Sequence, residues 1–278
     1  MKPRPFDYAR PETVAEALDL LAARGEDARV LAGGQSLMAL LNLRLAEPGL
    51  LVDIARIPEL KRIERRGGRV EIGAGVTQSE LLAWPQLPAA LPLLARALPF
   101  VGHVQTRNRG TVCGSVAHAD PSSEIPLALA ALEGEVVLRS ARATRVLPAA
   151  AFQTGLLSTA RAPDEMIVAV RFPEMPGTGF AFREVARRHG DFAIVAVAAV
   201  AAADGAVRLA VGGVADRPLV RRLAPAEAAD PDRLARAADA LARAAGGSDD
   251  VHASAHYRRD LVRRLAPALV KEARACAA

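Results

Sequence analysis

The chain has 278 residues, of which 51% are hydrophobic and 24% charged, so it can bury a large core divided between two or three domains. The net charge is only +5, with one Trp and two Tyr, so no basic stripe interleaved with stacking aromatics indicates nucleic-acid binding. We find no apolar run long enough to span a bilayer and no signal peptide at the start, and we therefore expect a cytoplasmic protein.

The first predicted elements lead into a pair of glycines. Residues 11–24 place apolar side chains on one helical face, and a short apolar run at 28–32 reads as a buried strand. Gly33 and Gly34 follow, before a predicted helix over 37–45. We call residues 32–37 the first glycine loop. Such a loop brings backbone N–H groups close to an anion, although a tight strand-to-helix turn is the alternative.

The middle of the chain alternates predicted strands and helices. Strands are expected at 50–54 and 70–74, and Thr77 and Glu80 have the spacing of a helix cap. A further helix is predicted over 87–98.

A second glycine loop, residues 108–115, follows that helix. Residues 116–126 come next and contain two carboxylates and two prolines, Asp120, Glu124, Pro121 and Pro126. Two loops of this kind suit a ligand with two phosphates.

The rest of the chain predicts an α+β arrangement. Strands are expected at 135–139 and 167–172, then a linker at 173–179, strands at 193–203 and 206–214, and helices at 232–245 and 254–275. Asp204-Gly205 predicts a type I′ hairpin, and Pro267 is expected to interrupt the last helix. We predict domains at 1–175, with subdomains of about 1–58 and 59–175, and at 176–278.

The cysteines and histidines predict no metal site. Cys113 and Cys276 are the only cysteines, too few for a disulfide framework or an iron–sulfur centre. The five histidines lack the spacing of a zinc helix.

The two loops together carry a family resemblance. The strings A-G-G-Q-S-L and N-R-G-T-V-C-G-S-x-A-H-A-D-P-x-x-E-x-P resemble the FAD-binding (medium) subunits of the molybdenum hydroxylases, of the aerobic carbon monoxide dehydrogenase and xanthine dehydrogenase type. The resemblance covers nearly the whole chain. It implies a two-part, vanillyl-alcohol-oxidase (PCMH-like) FAD-binding domain followed by a smaller α+β domain of antiparallel strands and helices.

The resemblance also implies which residues hold FAD. The pyrophosphate would lie between the loops, on Val30, Leu31, Ala32, Gly33, Gly34, Gln35, Ser36, Leu37, Thr111, Cys113, Gly114 and Ser115. A family carboxylate that binds flavin hydroxyl groups aligns best with Glu124, and Asp120 is the close second. Val101 and Ile167 would pack near the flavin ring, with ordinary core positions as the alternative.

Three positions depart from the family pattern. Cys113 stands where relatives usually have glycine, so this chain carries a side chain at a backbone position that the resemblance places close to the ligand. Arg183 and Glu184 occupy the segment where many relatives place a lysine near the ring, and Arg183 would replace it if the register shifts by one. Phe192 is the only evident counterpart of the aromatic that relatives place over the ring.

The implied function is electron transfer. A small subunit with [2Fe–2S] clusters and a large molybdenum-cofactor subunit would be partners, in a heterotrimer or its dimer, and this FAD would reduce an external acceptor. No catalytic residue is assigned to this chain. The alternatives are a stand-alone flavin oxidase or reductase, and an assembly subunit that has lost FAD.

Overall fold

The N-terminal part of the molecule is a small parallel sheet with one helix against it. The structure is a computed structural model that describes residues 2–277. Its first elements are β1 (Asp7–Ala9), α1 (Val14–Arg24), β2 (Ala28–Leu31), α2 (Leu37–Asn42) and β3 (Leu50–Asp53). The strand order is β1-β3-β2, and β3 pairs in parallel with both neighbours. Helix α1 begins later than predicted because the Thr13 hydroxyl caps it, accepting from the Glu16 N–H.

The middle of the chain contributes a larger sheet. Its strands are β4 (Ile63–Arg66), β5 (Arg69–Gly73), β6 (Glu135–Arg139), β7 (Thr144–Pro148), β8 (Gln153–Gly155), β9 (Ser158–Thr159) and β10 (Met166–Pro173). Five of them form an antiparallel sheet in the order β4-β5-β10-β6-β7, and β8 pairs with β9 alone. The sequence pattern missed β4 and β7, because both are edge strands with mostly exposed residues and no apolar run.

Seven short helices accompany this sheet. They are α3 (Gln78–Leu82), α4 (Leu87–Ala90), α5 (Pro92–Ala97), α6 (Val104–Arg107), α7 (Val112–His118), α8 (Glu124–Ala131) and α9 (Ala149–Phe152). The helix predicted over 87–98 is broken at Leu91, since a residue before proline avoids the helical conformation. The second glycine loop is only partly a loop, because its residues from Val112 onward begin α7.

The C-terminal part is an antiparallel sheet covered by helices. Its elements are β11 (Gly179–Val185), β12 (Val195–Ala201), β13 (Val207–Gly212), β14 (Leu219–Leu223), α10 (Pro225–Ala229), α11 (Pro231–Ala244) and α12 (Ala255–Cys276), with strand order β11-β12-β13-β14. The predicted α+β class is confirmed.

The predicted type I′ turn at Asp204-Gly205 is wrong, because only the second of these two residues, Gly205, has a positive φ, which is 87°. The Gly205 N–H donates to the Ala202 carbonyl and closes a turn there. Pro267 lies inside α12 without ending it, because burial of that helix against the sheet offsets one lost hydrogen bond.

The C-terminal sheet takes part in two cores. One of its faces, which includes Phe182 and Ala196, belongs to the core that also contains both N-terminal sheets and α8. The other face, which includes Ala181 and Val197, packs on α11 and α12. Because side chains alternate along a strand, successive residues of β11 point into different parts of the molecule.

Candidate functional site

A cavity of about 610 Å³ lies where the two glycine loops meet. The predicted site residues in its wall are Val30, Ala32, Gly33, Gly34, Gln35, Ser36, Leu37, Val101, Thr111, Cys113, Gly114, Ser115, Glu124 and Ile167. Leu31 lines an adjoining pocket of about 360 Å³ together with Asp53 and Arg109. Asp120, Arg183 and Glu184 lie outside both walls.

The first glycine loop presents free backbone donors to this cavity. Gly34 has a φ of 72°, which turns the chain between β2 and α2. None of the backbone N–H groups of residues 33–37 donates to another group within the described part of the chain. Five adjacent, partly exposed amides of this kind can bind the oxygens of an anion.

The second glycine loop offers fewer donors than its sequence indicates. The Thr111 hydroxyl caps α7 by accepting from the Gly114 N–H at 2.9 Å, and the Ser115 N–H donates to the Thr111 carbonyl at 3.2 Å. A Cβ on Gly114 would lie 2.8 Å from the Thr111 Oγ1 atom, so a side chain there would require the Thr111 cap to shift. The hydroxyl groups of Thr111 and Ser115 remain as donors toward the cavity.

Cys113 is held by the core rather than left free in the cavity. It is 2% exposed, and its thiol donates to the Ile72 carbonyl of β5 at 3.5 Å. Burial raises the pKa of this thiol, so it stays protonated and unreactive at neutral pH.

The carboxyl group of Glu184, which lies outside the cavity wall, faces that of Glu124, which lines it. Glu124 is 3% exposed at the start of α8, and Glu184 reaches it from β11. Burial is the main cause that raises the pKa of Glu124 to about 7 and that of Glu184 to about 8. The Asp120 carboxylate forms a hydrogen bond within its own loop, where it accepts from the Ser122 N–H at 2.8 Å.

Arg183 is placed on the opposite face of β11. Its guanidinium donates to the Glu272 carboxylate of α12 at 3.2 Å, and it is exposed to solvent. The register shift that would bring Arg183 toward the flavin is therefore absent from the structure, and it is Glu184 whose side chain faces Glu124 of the cavity wall.

Several residues of the cavity wall were not predicted from the sequence. Gln78 is 4% exposed, and its Oε1 atom has no hydrogen-bond partner among residues 2–277. Gln78 belongs to the motif at residues 77–80, which was predicted only to begin a helix. The structure contains this helix start, with a capping box between Thr77 and Glu80. Arg29 and Arg161 also line the wall, and burial followed by the nearby Arg29 charge lowers the pKa of Arg161.

The segment 190–192 forms the rim of the cavity. Gly190 has a φ of 87°, and a Cβ there would lie 2.6 Å from the His103 ring, so this segment packs closely on the loop after Val101. Phe192 lines the cavity and is 62% exposed, so the cavity reaches the surface beside an aromatic side chain.

Neither a membrane-spanning helix nor a metal site is found among residues 2–277. No described helix is both long enough and apolar enough to cross a membrane. No group of three or more His, Cys, Asp or Glu residues within that range is arranged to hold a metal ion.

Two family descriptions match the chain. The "FAD binding domain in molybdopterin dehydrogenase" matches residues 4–175, and the "CO dehydrogenase flavoprotein C-terminal domain" matches residues 180–273.

Curated relatives match over nearly their full length. The chain is 38% identical over 283 residues to the nicotine 6-hydroxylase medium subunit of Paenarthrobacter nicotinovorans, covering 98% of this chain and 99% of that protein. It is 36% identical over 267 residues to the carbon monoxide dehydrogenase medium chain of Hydrogenophaga pseudoflava, covering 93% of each.

Solved structures share the whole fold. A chain of carbon monoxide dehydrogenase from Hydrogenophaga pseudoflava superposes with a TM-score of 0.93 at 36% identity, with 100% of both chains covered. A chain of quinoline 2-oxidoreductase from Pseudomonas putida 86 gives a TM-score of 0.90 at 32% identity, also with 100% coverage of both. The chain therefore belongs to the FAD-binding medium subunits of the molybdenum hydroxylases, an oxidoreductase family that includes carbon monoxide dehydrogenase.

Proposed function

We propose that this chain binds FAD in the cavity between the glycine loops and relays electrons through it. The electrons would come from the [2Fe–2S] clusters of a small partner subunit and leave to an external acceptor. Substrate oxidation would take place on a large molybdenum-cofactor subunit, in a heterotrimer or its dimer. The names of the relatives support this proposal, since they are medium chains or subunits of dehydrogenases and hydroxylases.

The residues of the cavity fit FAD in three ways. The free amides of residues 33–37, with the hydroxyl groups of Thr111 and Ser115, suit the pyrophosphate. Glu124, when ionised, can only accept hydrogen bonds and therefore suits ribityl or ribose hydroxyl groups. Val101 and Ile167 provide an apolar wall for the flavin ring.

The observation that carries the relay function is that the cavity reaches the surface at Phe192. The bound flavin supplies the capacity to accept and release electrons. This chain's residues bind and orient it, and a cavity that opens to the surface beside an exposed aromatic side chain suits electron exchange with a docked partner rather than an enclosed substrate pocket.

The test compares the isolated chain with the chain and its operon partners. We expect the full chain to bind about one FAD, released by acid precipitation, because the cysteine of the cavity wall, Cys113, is held in the core by its hydrogen bond to the Ile72 carbonyl. In the isolated chain, the bound flavin should stay oxidised when an aldehyde, a purine or a hydroxy acid is added under anaerobic conditions. Once the partners are added, substrate should reduce and bleach it. Rapid bleaching of the isolated chain would instead favour the stand-alone oxidase, and failure to take up FAD would favour the assembly subunit.

A further inference from the structure

Strand β11 and helix α8 bring two carboxyl groups together, and one of them, that of Glu124, lines the cavity. Glu184 pairs across the sheet with Ala196, on the face that Phe182 and Ala198 turn toward the first core. Helix α8 packs on the same sheet and begins at Glu124, whose side chain lies in the cavity wall. The two carboxyl groups therefore come from opposite sides of one interface and lie close enough to shift each other's pKa.

The charges around this pair are negative. Asp120, in the loop before α8, faces Glu124 and adds to the cost of ionising it. His118 of α7 faces Asp120, but burial lowers the pKa of its imidazole, so this ring is neutral at pH 7. Two ionised carboxylates cannot share a buried site without strong repulsion, so one of them keeps a proton.

The local hydrogen bonding decides which carboxyl group holds that proton. A backbone N–H at the start of α8 lowers the pKa of Glu124, partly opposing the effect of burial. Glu184 receives no such help, and its Oε2 atom is buried without a partner among residues 2–277. The neutral form is therefore favoured at Glu184 and the ionised form at Glu124.

We propose that Glu184 is a positioning residue, whose protonated carboxyl group donates a hydrogen bond to ionised Glu124 and holds it as the acceptor for hydroxyl groups of the bound flavin nucleotide. The inference rests on the proposed function, because it takes FAD as the ligand of this cavity. Glu184 then acts on FAD through Glu124 and makes no contact with the ring of its own. A hydrogen bond to a charged acceptor is strong, and it fixes the direction of the remaining Glu124 lone pairs.

A pH dependence of FAD binding follows from this arrangement. When Glu184 ionises, it loses the donated hydrogen bond and repels Glu124, so the acceptor geometry is lost. Because the pKa of Glu124 is raised to about 7 and that of Glu184 to about 8, the pair with one proton is most populated between these values. Affinity should therefore be greatest between pH 7 and pH 8 and fall as the pH rises beyond 8. Release of one proton weakens binding by at most about tenfold between pH 7 and pH 9.

The experiment titrates FAD into the flavin-free full chain and follows quenching of flavin fluorescence from pH 6.5 to 9.5. The wild-type dissociation constant should rise up to about tenfold between pH 7 and pH 9. Glu184→Gln should bind within about threefold of wild type at pH 7 and lose that rise, since its amide N–H₂ donates at every pH. Glu184→Ala should bind roughly tenfold more weakly at pH 7.

Glu272→Gln is the matched control. Glu272 is a half-exposed carboxylate paired with Arg183 on the other side of β11, so the variant should follow the wild-type curve. Circular dichroism at each pH checks that every protein is folded, and the isosteric Gln variant keeps the test decisive if Glu184→Ala does not fold.

The possible failures are distinguishable. If Glu184→Gln keeps the wild-type pH dependence, or folded Glu184→Ala binds like wild type, the positioning role is overturned while FAD binding stands. If the folded wild-type chain binds no FAD at any pH, the proposed function fails and this inference fails with it.

Discussion

Gly33 lies directly against the backbone of Arg109, so that the two glycine loops form one packed unit. A Cβ built on Gly33 would be 2.1 Å from the Arg109 carbonyl oxygen and 2.8 Å from the Cα atom of Gly110. Both neighbours are backbone atoms, so no side-chain rotation can relieve the contact. The glycine at this position is therefore required by the contact between the loops, in addition to any approach of a ligand.

Replacing Gly33 by alanine should consequently separate the loops. We expect FAD to bind at least about tenfold more weakly and the free energy of unfolding to fall by about 1–3 kcal/mol, as for other overpacked sites. Fluorescence titration with FAD and urea unfolding of the flavin-free protein measure the two effects.

Gly155→Ala is the control for this change. Gly155 has an ordinary φ, and its Cβ would meet only the Asp216 carboxylate at 3.4 Å, so both measurements should stay close to wild type. Unaltered FAD affinity in Gly33→Ala would show that the loop contact does not shape the FAD site.

The contact between Gly33 and Arg109 also marks the limit of what the sequence predicts. The glycines, the strand before Gly33 and the cap at Thr77 are local patterns, and each leads to the observed element. The side on which Arg183 or Glu184 emerges depends on the pairing of β11 with β12, which no local pattern fixes. The same holds for Gln78, whose burial in the cavity wall comes from packing against the second glycine loop.

The Thr111 cap should be as important for the site as the glycine it contacts. In Thr111→Val the Gly114 N–H loses its acceptor at 2.9 Å, which should cost about 1 kcal/mol of stability and weaken FAD binding severalfold. Thr13→Val removes the corresponding cap of α1 and should cost similar stability without changing FAD affinity. Equal effects of both variants on FAD binding would contradict a specific role of α7.

The two cysteines should differ in reactivity toward a thiol reagent. Cys113 is buried with a raised pKa, whereas Cys276 is exposed at the end of α12. We expect one thiol per native chain to react with a disulfide reagent and two in denaturant, with or without FAD. Cys276→Ser should abolish the native reaction, and a fast reaction remaining in that variant would mean that Cys113 is accessible through the cavity.

The ion pair between Arg145 and Glu165 should make stability depend on pH. Glu165 is 8% exposed, and its two oxygens accept from Arg145 Nε at 2.6 Å and Nη2 at 2.8 Å. These hydrogen bonds are the largest cause that lowers the pKa of Glu165. A carboxyl group whose folded-state pKa is depressed adds stability above its unfolded pKa of about 4.3, and this stability is lost as the pH falls through the folded value.

Glu165→Gln should therefore destabilise the protein by about 1–2 kcal/mol at pH 7 and by much less near pH 3. Urea unfolding at both pH values measures the difference. Glu64→Gln is the control, because Glu64 pairs with Arg62 at 3.7 Å on the surface and should change stability by less than about 0.5 kcal/mol. The Glu165 backbone carbonyl also accepts from Arg161 in the cavity wall at 2.6 Å. A difference between Glu165→Gln and wild type that is the same at both pH values would show that the lost stability comes from packing and not from the ionised pair.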